Sequence, residues 1–254
     1  MPVVVGGTQE APKRSDFLTG LCGIMSGQMN EETPPPDPRQ TKQPIFHPKA
    51  AEAAEAAPVL ALIIVMLLIH AWIAFSGEGT GHAFYKKMAF VPQQFWEGAG
   101  PGRLVSYAFL HVNWVHVLMN ILLIYLLGNR TWRFMGTARF LVFFVVTAAA
   151  GAIAFALMRP ETTVQLAGAS GAAYGLLASF LRYRYRVLTL RGHDMRMTAV
   201  VSIGMIVMIE LVLGYMSFDV LSGTVGRAAA WEAHIGGLLI GWIITPWLVK
   251  FWPQ

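Results

Sequence analysis

The sequence predicts an all-α polytopic membrane protein, a bundle of six transmembrane helices, and three observations carry that prediction. The chain of 254 residues is 55% hydrophobic and only 13% charged, with a mean hydropathy of +0.52. Soluble domains carry roughly one-quarter charged residues. Apolar runs near the length of about 20 residues that a helix needs to cross hydrocarbon recur at about 58–76, 107–128, 138–158, 164–181, 198–216 and 229–249. Within these runs the conspicuous polar side chains are few, and they lie at restricted positions.

Residues 1–57 differ in kind, with "TPPPDP" at 33–38, "AAEAAEAA" at 50–57, mixed charge and no apolar run long enough for a signal peptide. They predict a mobile or helical cytoplasmic tail ahead of a membrane domain at 58–254. Cys22 is the only cysteine, so no intramolecular disulfide forms and the redox compartment cannot be read. "LTGLC" lacks the hydrophobic stretch of a lipoprotein site, and the thiol reads as a bystander in the tail.

Orientation follows from the basic residues. With the tail inside, the cytoplasmic segments hold nine: Arg130, Arg133, Arg139, Arg182, Arg184, Arg186, Arg191, Arg196 and Lys250. The outer segments hold five: Lys86, Lys87, Arg103, Arg159 and Arg227. Both termini are therefore expected on the cytoplasmic face. The same bias explains "RYRYR" at 182–186 better than an anionic partner does, and no nucleic-acid partner is expected.

In that topology the second, fourth and sixth spans all enter from the outer face. The polar residues His111, His116 and Asn120 in "HVNWVHVLMN", Ser170 in "QLAGASGAAYG" and His234 in "WEAHIGGLLIG" all fall near the starts of these spans. At 1.5 Å per residue, Ser170 sits about 9 Å below the start of its span, and His116, Asn120 and His234 share that layer. Polar side chains in hydrocarbon face a bundle interior or a wet cavity. One such serine alone reads as back-bonding or packing, and one such histidine or asparagine as a helix bridge. Their coincidence in one layer points to a site.

Helical spacing refines the cluster. His116 and Asn120, four apart, share a face, whereas His111 is about 140° round from His116 and is expected outside the cluster. Gly171 with Gly175, and Gly237 with Gly241, are small-xxx-small patterns that let two backbones approach. Such an approach is expected to bring Ser170 within reach of His234. A metal needs three or four converging ligands, and His116 with His234 fall short. Glu232 is about 200° from His234 on a helix, poorly placed as a third member. For Glu210, near the outer end of the fifth span, the expectation is an interhelical hydrogen bond or a protonated carboxyl, with gating as the alternative.

Serine is a weak nucleophile until a base takes its proton, and imidazole is the usual base near neutral pH. Ser170 and His234 are expected to form such a pair. No acidic residue is well placed to orient the histidine, so the consistent reading is a dyad, with Tyr174 one turn below Ser170 packing on the His234 ring. Asn120, His116 and the Ser170 backbone N–H are candidate donors to the oxyanion. The soluble-hydrolase elbow GxSxG is not matched, because Ala172 holds its last glycine position. The polar, small-residue segment "SFDVLSGTVGRAA" at 217–229 lies above this layer and offers water an entrance from outside.

Over roughly residues 58–249 the chain resembles the rhomboid intramembrane serine proteases. "GASG" around Ser170, beginning at Gly168, Tyr174 one turn later, "HVNWVHVLMN" as an HxxxxHxxxN signature and "AHIGGLLIG" around His234 carry the likeness. The resemblance implies Ser170 as nucleophile, His234 as general base, and His116 with Asn120 as oxyanion donors. It also implies substrates that are themselves transmembrane proteins, cut near the outer face, with the lipid bilayer as surroundings and no cofactor. Arg103 stands where the family's first loop ends, but Gly102 replaces the usual Trp and Trp132 the usual Glu. The aromatic first loop, with Phe90, Phe95 and Trp96, is expected in the outer interface.

Two other functions fit a six-span bundle. An inactive rhomboid-like binding or quality-control protein keeps the fold without the reacting pair, whereas Ser170 and His234 are both present. A small transporter also places polar groups mid-membrane, but here they cluster on one side and no inverted repeat is evident. A bacterial inner membrane is the expected location; the oligomeric state is left open.

Overall fold

A computed structural model describes residues 57–192, 195–216 and 230–249. The expected tail up to residue 56, including Cys22, and the segment 217–229 lie outside the described residues. Apart from an isolated antiparallel bridge between Phe90 and Leu166, the described elements are helices. The chain is all-α.

Helix α1 (Ala57–Phe75) is apolar all round, the pattern of a helix with no aqueous face. Val59, Ile63, Met66 and His70 recur on one face and are buried, while Leu60, Ile64, Leu68 and Phe75 point outward. Helices α2 (Gly77–Met88), α3 (Pro92–Trp96) and α4 (Arg103–Ser106), the last running into a 3-10 turn (Tyr107–Phe109), form the first connection. Ser106 Oγ donates to the Met88 carbonyl at 2.7 Å, and Arg103 to Gln94 Oε1 at 2.5 Å. Phe90 is buried between Phe95 and Tyr107, so only Trp96 of the three expected interface aromatics is largely exposed. A Cβ at Gly102 would meet nothing within 4 Å.

The second long helix does not begin at 107 as the apolar run suggests. The chain bends by 103° between Arg103–Phe109 and Trp114–Met135. Asn113 caps the new helix, its Oδ1 accepting from the His116 N–H at 2.8 Å, the usual device for the orphan donors of a helix start. This helix comprises α5 (Trp114–Leu123), a π turn (Ile124–Gly128) and α6 (Asn129–Met135). Gly136, with φ of 80°, then turns the chain, and Trp132 Nε1 donates to Thr137 Oγ1 across the turn at 3.0 Å. The indole thus makes the tether at the position where a Glu is usual.

Helix α7 (Thr137–Met158) buries Phe140, Phe143, Phe144 and Phe155. Helix α8 (Ser170–Leu190) is the centre of the bundle, with Gly171 through Ser179 all buried. Helices α9 (Met195–Met216) and α10 (Trp231–Leu248) complete it. By length and composition α1 and α7 each suffice to cross a membrane, and the bent pair Arg103–Phe109 with Trp114–Met135 passes the same test only when its two parts are taken together. α8 carries the basic stretch Arg182, Arg184 and Arg186 toward its end, and α10 begins with Glu232 and His234 in its first turn.

One ion pair ties two connections together. Arg159, just after α7, reaches Glu232 in the first turn of α10 at 2.5 Å, with Glu232 almost wholly buried and Arg159 about one-third exposed. Glu232 thereby also faces the positive end of the helix dipole. Removing one partner of a buried pair costs several kcal/mol, reduced here by the access of Arg159 to solvent. Arg159→Ala is expected to destabilise the fold by about 1–3 kcal/mol, read as a lower thermal unfolding midpoint in detergent, while Arg159→Lys retains part of the loss.

Candidate active site

Ser170 lies on the first turn of α8, not six residues inside a helix begun at 164. Residues 162–169 are non-helical because they are held from the side. Leu166 exchanges backbone hydrogen bonds with Phe90 (2.7 and 3.2 Å), and the Gly168 N–H donates to the Tyr107 carbonyl at 3.0 Å. Tyr107, itself buried, donates its hydroxyl to the Ala148 carbonyl at 2.8 Å. His116 is the third residue of α5 and His234 the fourth of α10. The shared feature is therefore the first turn of a helix, set by local caps and bridges, rather than a depth counted along apolar runs.

The geometry brings Ser170 and His234 together. Ser170 Oγ lies 2.9 Å from His234 Nε2, between two helices in intimate contact. A Cβ on Gly237 would strike the Gly171 carbonyl, and one on Gly241 would lie 2.6 Å from the Gly175 carbonyl oxygen. Gly236 meets the Ala150 carbonyl of α7 in the same manner. Tyr174 stacks on the His234 imidazole, ring centroids 4.4 Å apart and planes parallel. One face of the imidazole is covered by an aromatic ring, which fixes its plane.

The other ring nitrogen is not free. His234 Nδ1 is 2.9 Å from Glu210 Oε2, and the Tyr174 hydroxyl donates to the same oxygen at 2.5 Å. The expectation that no acidic residue reaches the pair is thus corrected. Glu210 comes from the fifth long helix, 24 residues before His234 and across the segment 217–229, and spacing along a single helix carries no information about such a neighbour. Its interhelical hydrogen bonds join α9 to both α8 and α10.

His116 packs against the backbone that delivers the serine. A Cβ on Gly168 would lie 2.7 Å from His116 Cε1 and 2.8 Å from Nε2. Gly168 also has φ of 123°, a conformation that L side chains rarely adopt. Asn120 is fully buried, and its Nδ2 donates to the His116 carbonyl at 2.8 Å. Gly168→Ala combines about 1–3 kcal/mol of backbone strain with displacement of the His116 ring. It is expected to slow fluorophosphonate labelling of Ser170 by about 10- to 100-fold, since an error near 1 Å at reacting groups costs about 10²-fold.

His111 stands 5.2 Å from His116, ring to ring, so its expected separation from the cluster is also corrected. The helical angle does not apply, because His111 precedes the helix start at Trp114. His70 of α1, which has no motif to single it out in the sequence, joins this group, 4.6 Å from the Trp114 ring. His70, His111 and Asn113 line an open cleft of about 650 Å³ with His82 and Gln165, and neither Ser170 nor His234 reaches it. Among the described residues no three His, Cys, Asp or Glu side chains are grouped as metal ligands.

Fold and site define a class: an all-helical integral membrane protein in which a serine hydroxyl and an imidazole meet where two glycine-faced helices touch. The family model described as "Rhomboid domain" matches residues 92–251, and the chain belongs to the rhomboid family. It is 33% identical over 143 residues to RHOMBOID-like protein 4 of Arabidopsis thaliana, covering 56% of this chain and 32% of that one. Rhomboid protease GlpG of Yersinia pestis is 26% identical over 190 residues, 74% of this chain and 57% of that one. Rhomboid protease GluP of Bacillus subtilis is 30% identical over 139 residues, 55% and 24% of the respective chains. This chain thus spans between about a quarter and somewhat over half the length of these relatives.

Proposed function

We propose that the chain is an intramembrane serine endopeptidase that hydrolyses peptide bonds of transmembrane proteins near the outer membrane face. The observation that carries this reading is the 2.9 Å contact between Ser170 Oγ and His234 Nε2, supported by the printed names of the relatives GlpG and GluP as proteases. His234 takes the hydroxyl proton on Nε2 as Ser170 Oγ attacks the scissile carbonyl carbon. The imidazolium then gives that proton to the departing amine, and water hydrolyses the acyl-serine by the same steps. His116, Asn120 and the Ser170 N–H, at the start of α8 where backbone donors point outward, act on the tetrahedral oxyanion. Gly168, Gly171, Gly237 and Gly241 hold the two reacting helices at contact distance.

The same reading gives six spans over 58–254, a tail over 1–57, both termini in the cytoplasm and a bacterial inner membrane. It needs no metal, organic cofactor or nucleic acid. The test is reconstitution in liposomes with a tagged single-span substrate, comparing the parent chain with Ser170→Ala and His234→Ala and with labelling by a fluorophosphonate. Cleavage and labelling that both depend on the two residues support the protease. Cleavage that survives Ser170→Ala overturns it, and solute flux without cleavage favours a transporter.

A further inference from the structure

We propose that Glu210 is a positioning residue for the reaction, the carboxylate of a Ser170–His234–Glu210 relay built from the fourth, sixth and fifth long helices. The proposal rests on Ser170 and His234 being the reacting pair.

Three contacts support it. For Ser170 Oγ–H to donate to His234 Nε2 at 2.9 Å, Nε2 must carry no proton, so the single proton of the neutral ring sits on Nδ1. That Nδ1–H has one acceptor, Glu210 Oε2 at 2.9 Å. The Tyr174 hydroxyl donates to the same oxygen at 2.5 Å while its ring lies parallel to the imidazole at 4.4 Å. Glu210 therefore fixes the tautomer through Nδ1 and the ring plane through Tyr174. A mere helix bridge needs only one of these bonds, with no regard to which imidazole nitrogen it meets.

The proton balance is that of a positioned base. When Ser170 Oγ bonds to the substrate carbonyl carbon, its proton moves to Nε2, and the imidazolium keeps its Nδ1–H on Glu210. The carboxylate stays ionised, stabilises the positive ring, and takes no proton as Nε2 releases its own to the leaving amine. Glu210 is partly exposed, with its side chain at 34%, and part of the restraint on the imidazole comes from the stacked Tyr174 ring itself. Its effect is accordingly smaller than that of a fully buried triad carboxylate, whose amide replacement costs about 10⁴-fold.

The experiment compares Glu210→Gln, Glu210→Asp and Glu210→Leu with the parent chain in liposomes. Measured are kcat and KM on a single-span substrate, the rate of fluorophosphonate labelling and the thermal unfolding midpoint. Glu210→Gln is expected to lower kcat and the labelling rate together by about 10- to 100-fold, leaving KM within about two-fold and the midpoint nearly unchanged. Glu210→Asp is expected to recover part of the loss, and Glu210→Leu none. The downfield imidazole N–H proton resonance expected of a histidine bonded to a carboxylate should disappear in Glu210→Gln. Parent-level kcat in Glu210→Gln overturns the proposal, as does a loss shared equally by Gln, Asp and Leu that tracks a lowered midpoint. Ser170→Ala and His234→Ala in the same series separate the two levels: if they remain active the reacting pair itself is wrong, and if they are dead while Glu210→Gln is fully active only the role of Glu210 falls.

Discussion

Ser170→Ala is expected to lower turnover of a single-span substrate by about 10⁴-fold or more, to a level indistinguishable from no enzyme in a cleavage assay, and to abolish fluorophosphonate labelling. The loss corresponds to about 5.5 kcal/mol or more of activation free energy. His234→Ala should cost nearly as much, because an alkoxide is not formed near neutral pH without a base in contact with the hydroxyl. The double variant should be scarcely worse than either single one. Groups that act as a unit are not additive, and the 2.9 Å contact makes these two a unit. Additive losses would mean that the residues act in separate steps. Unfolding midpoints should be close to the parent value in Ser170→Ala, since the serine is only partly buried at the start of its helix.

What was legible in the sequence, and what was not, divides along a physical line. Helical class, the polar residues of alternate spans and the glycine pairs can be read from composition and period, because the bilayer excludes polar groups that lack a partner. Tyr174 on the His234 face follows from its one-turn spacing from Ser170. The apolar runs place helix starts at 107 and 164, but hydropathy continues through segments that a bend, a cap and a β-bridge make non-helical. For the same reason the helical angle does not apply to His111, which precedes the helix. Glu210 is conspicuous in an apolar helix, but its partners lie 24 and 36 residues away on other helices. Long-range packing decides such contacts, and no period along one helix encodes them.

The glycines of α10 make the second large prediction. Gly237→Ala places a methyl group onto the Gly171 carbonyl, and the obstacle is backbone, which cannot rotate aside as a side chain can. The helices must separate or slide, at an overpacking cost of about 1–3 kcal/mol or more. Ser170 directly precedes Gly171, and His234 lies one turn before Gly237, so the displacement falls on the reacting pair. With about 10²-fold lost per ångström of misplacement, Gly237→Ala should reduce cleavage and labelling by about 100-fold or more while a folded fraction persists in detergent. Gly241→Ala meets the Gly175 carbonyl oxygen at 2.6 Å one turn further from the pair. It should cost similar stability but less rate per folded molecule. Gly204→Ala on α9 meets nothing within 4 Å and should change neither quantity. If Gly237→Ala instead retains parent-level labelling, the contact of α8 and α10 is not what holds the serine to its base. An unequal loss at 237 and 241, normalised to the folded fraction, would show that the glycines set the distance of reaction and do not merely allow the helices to pack.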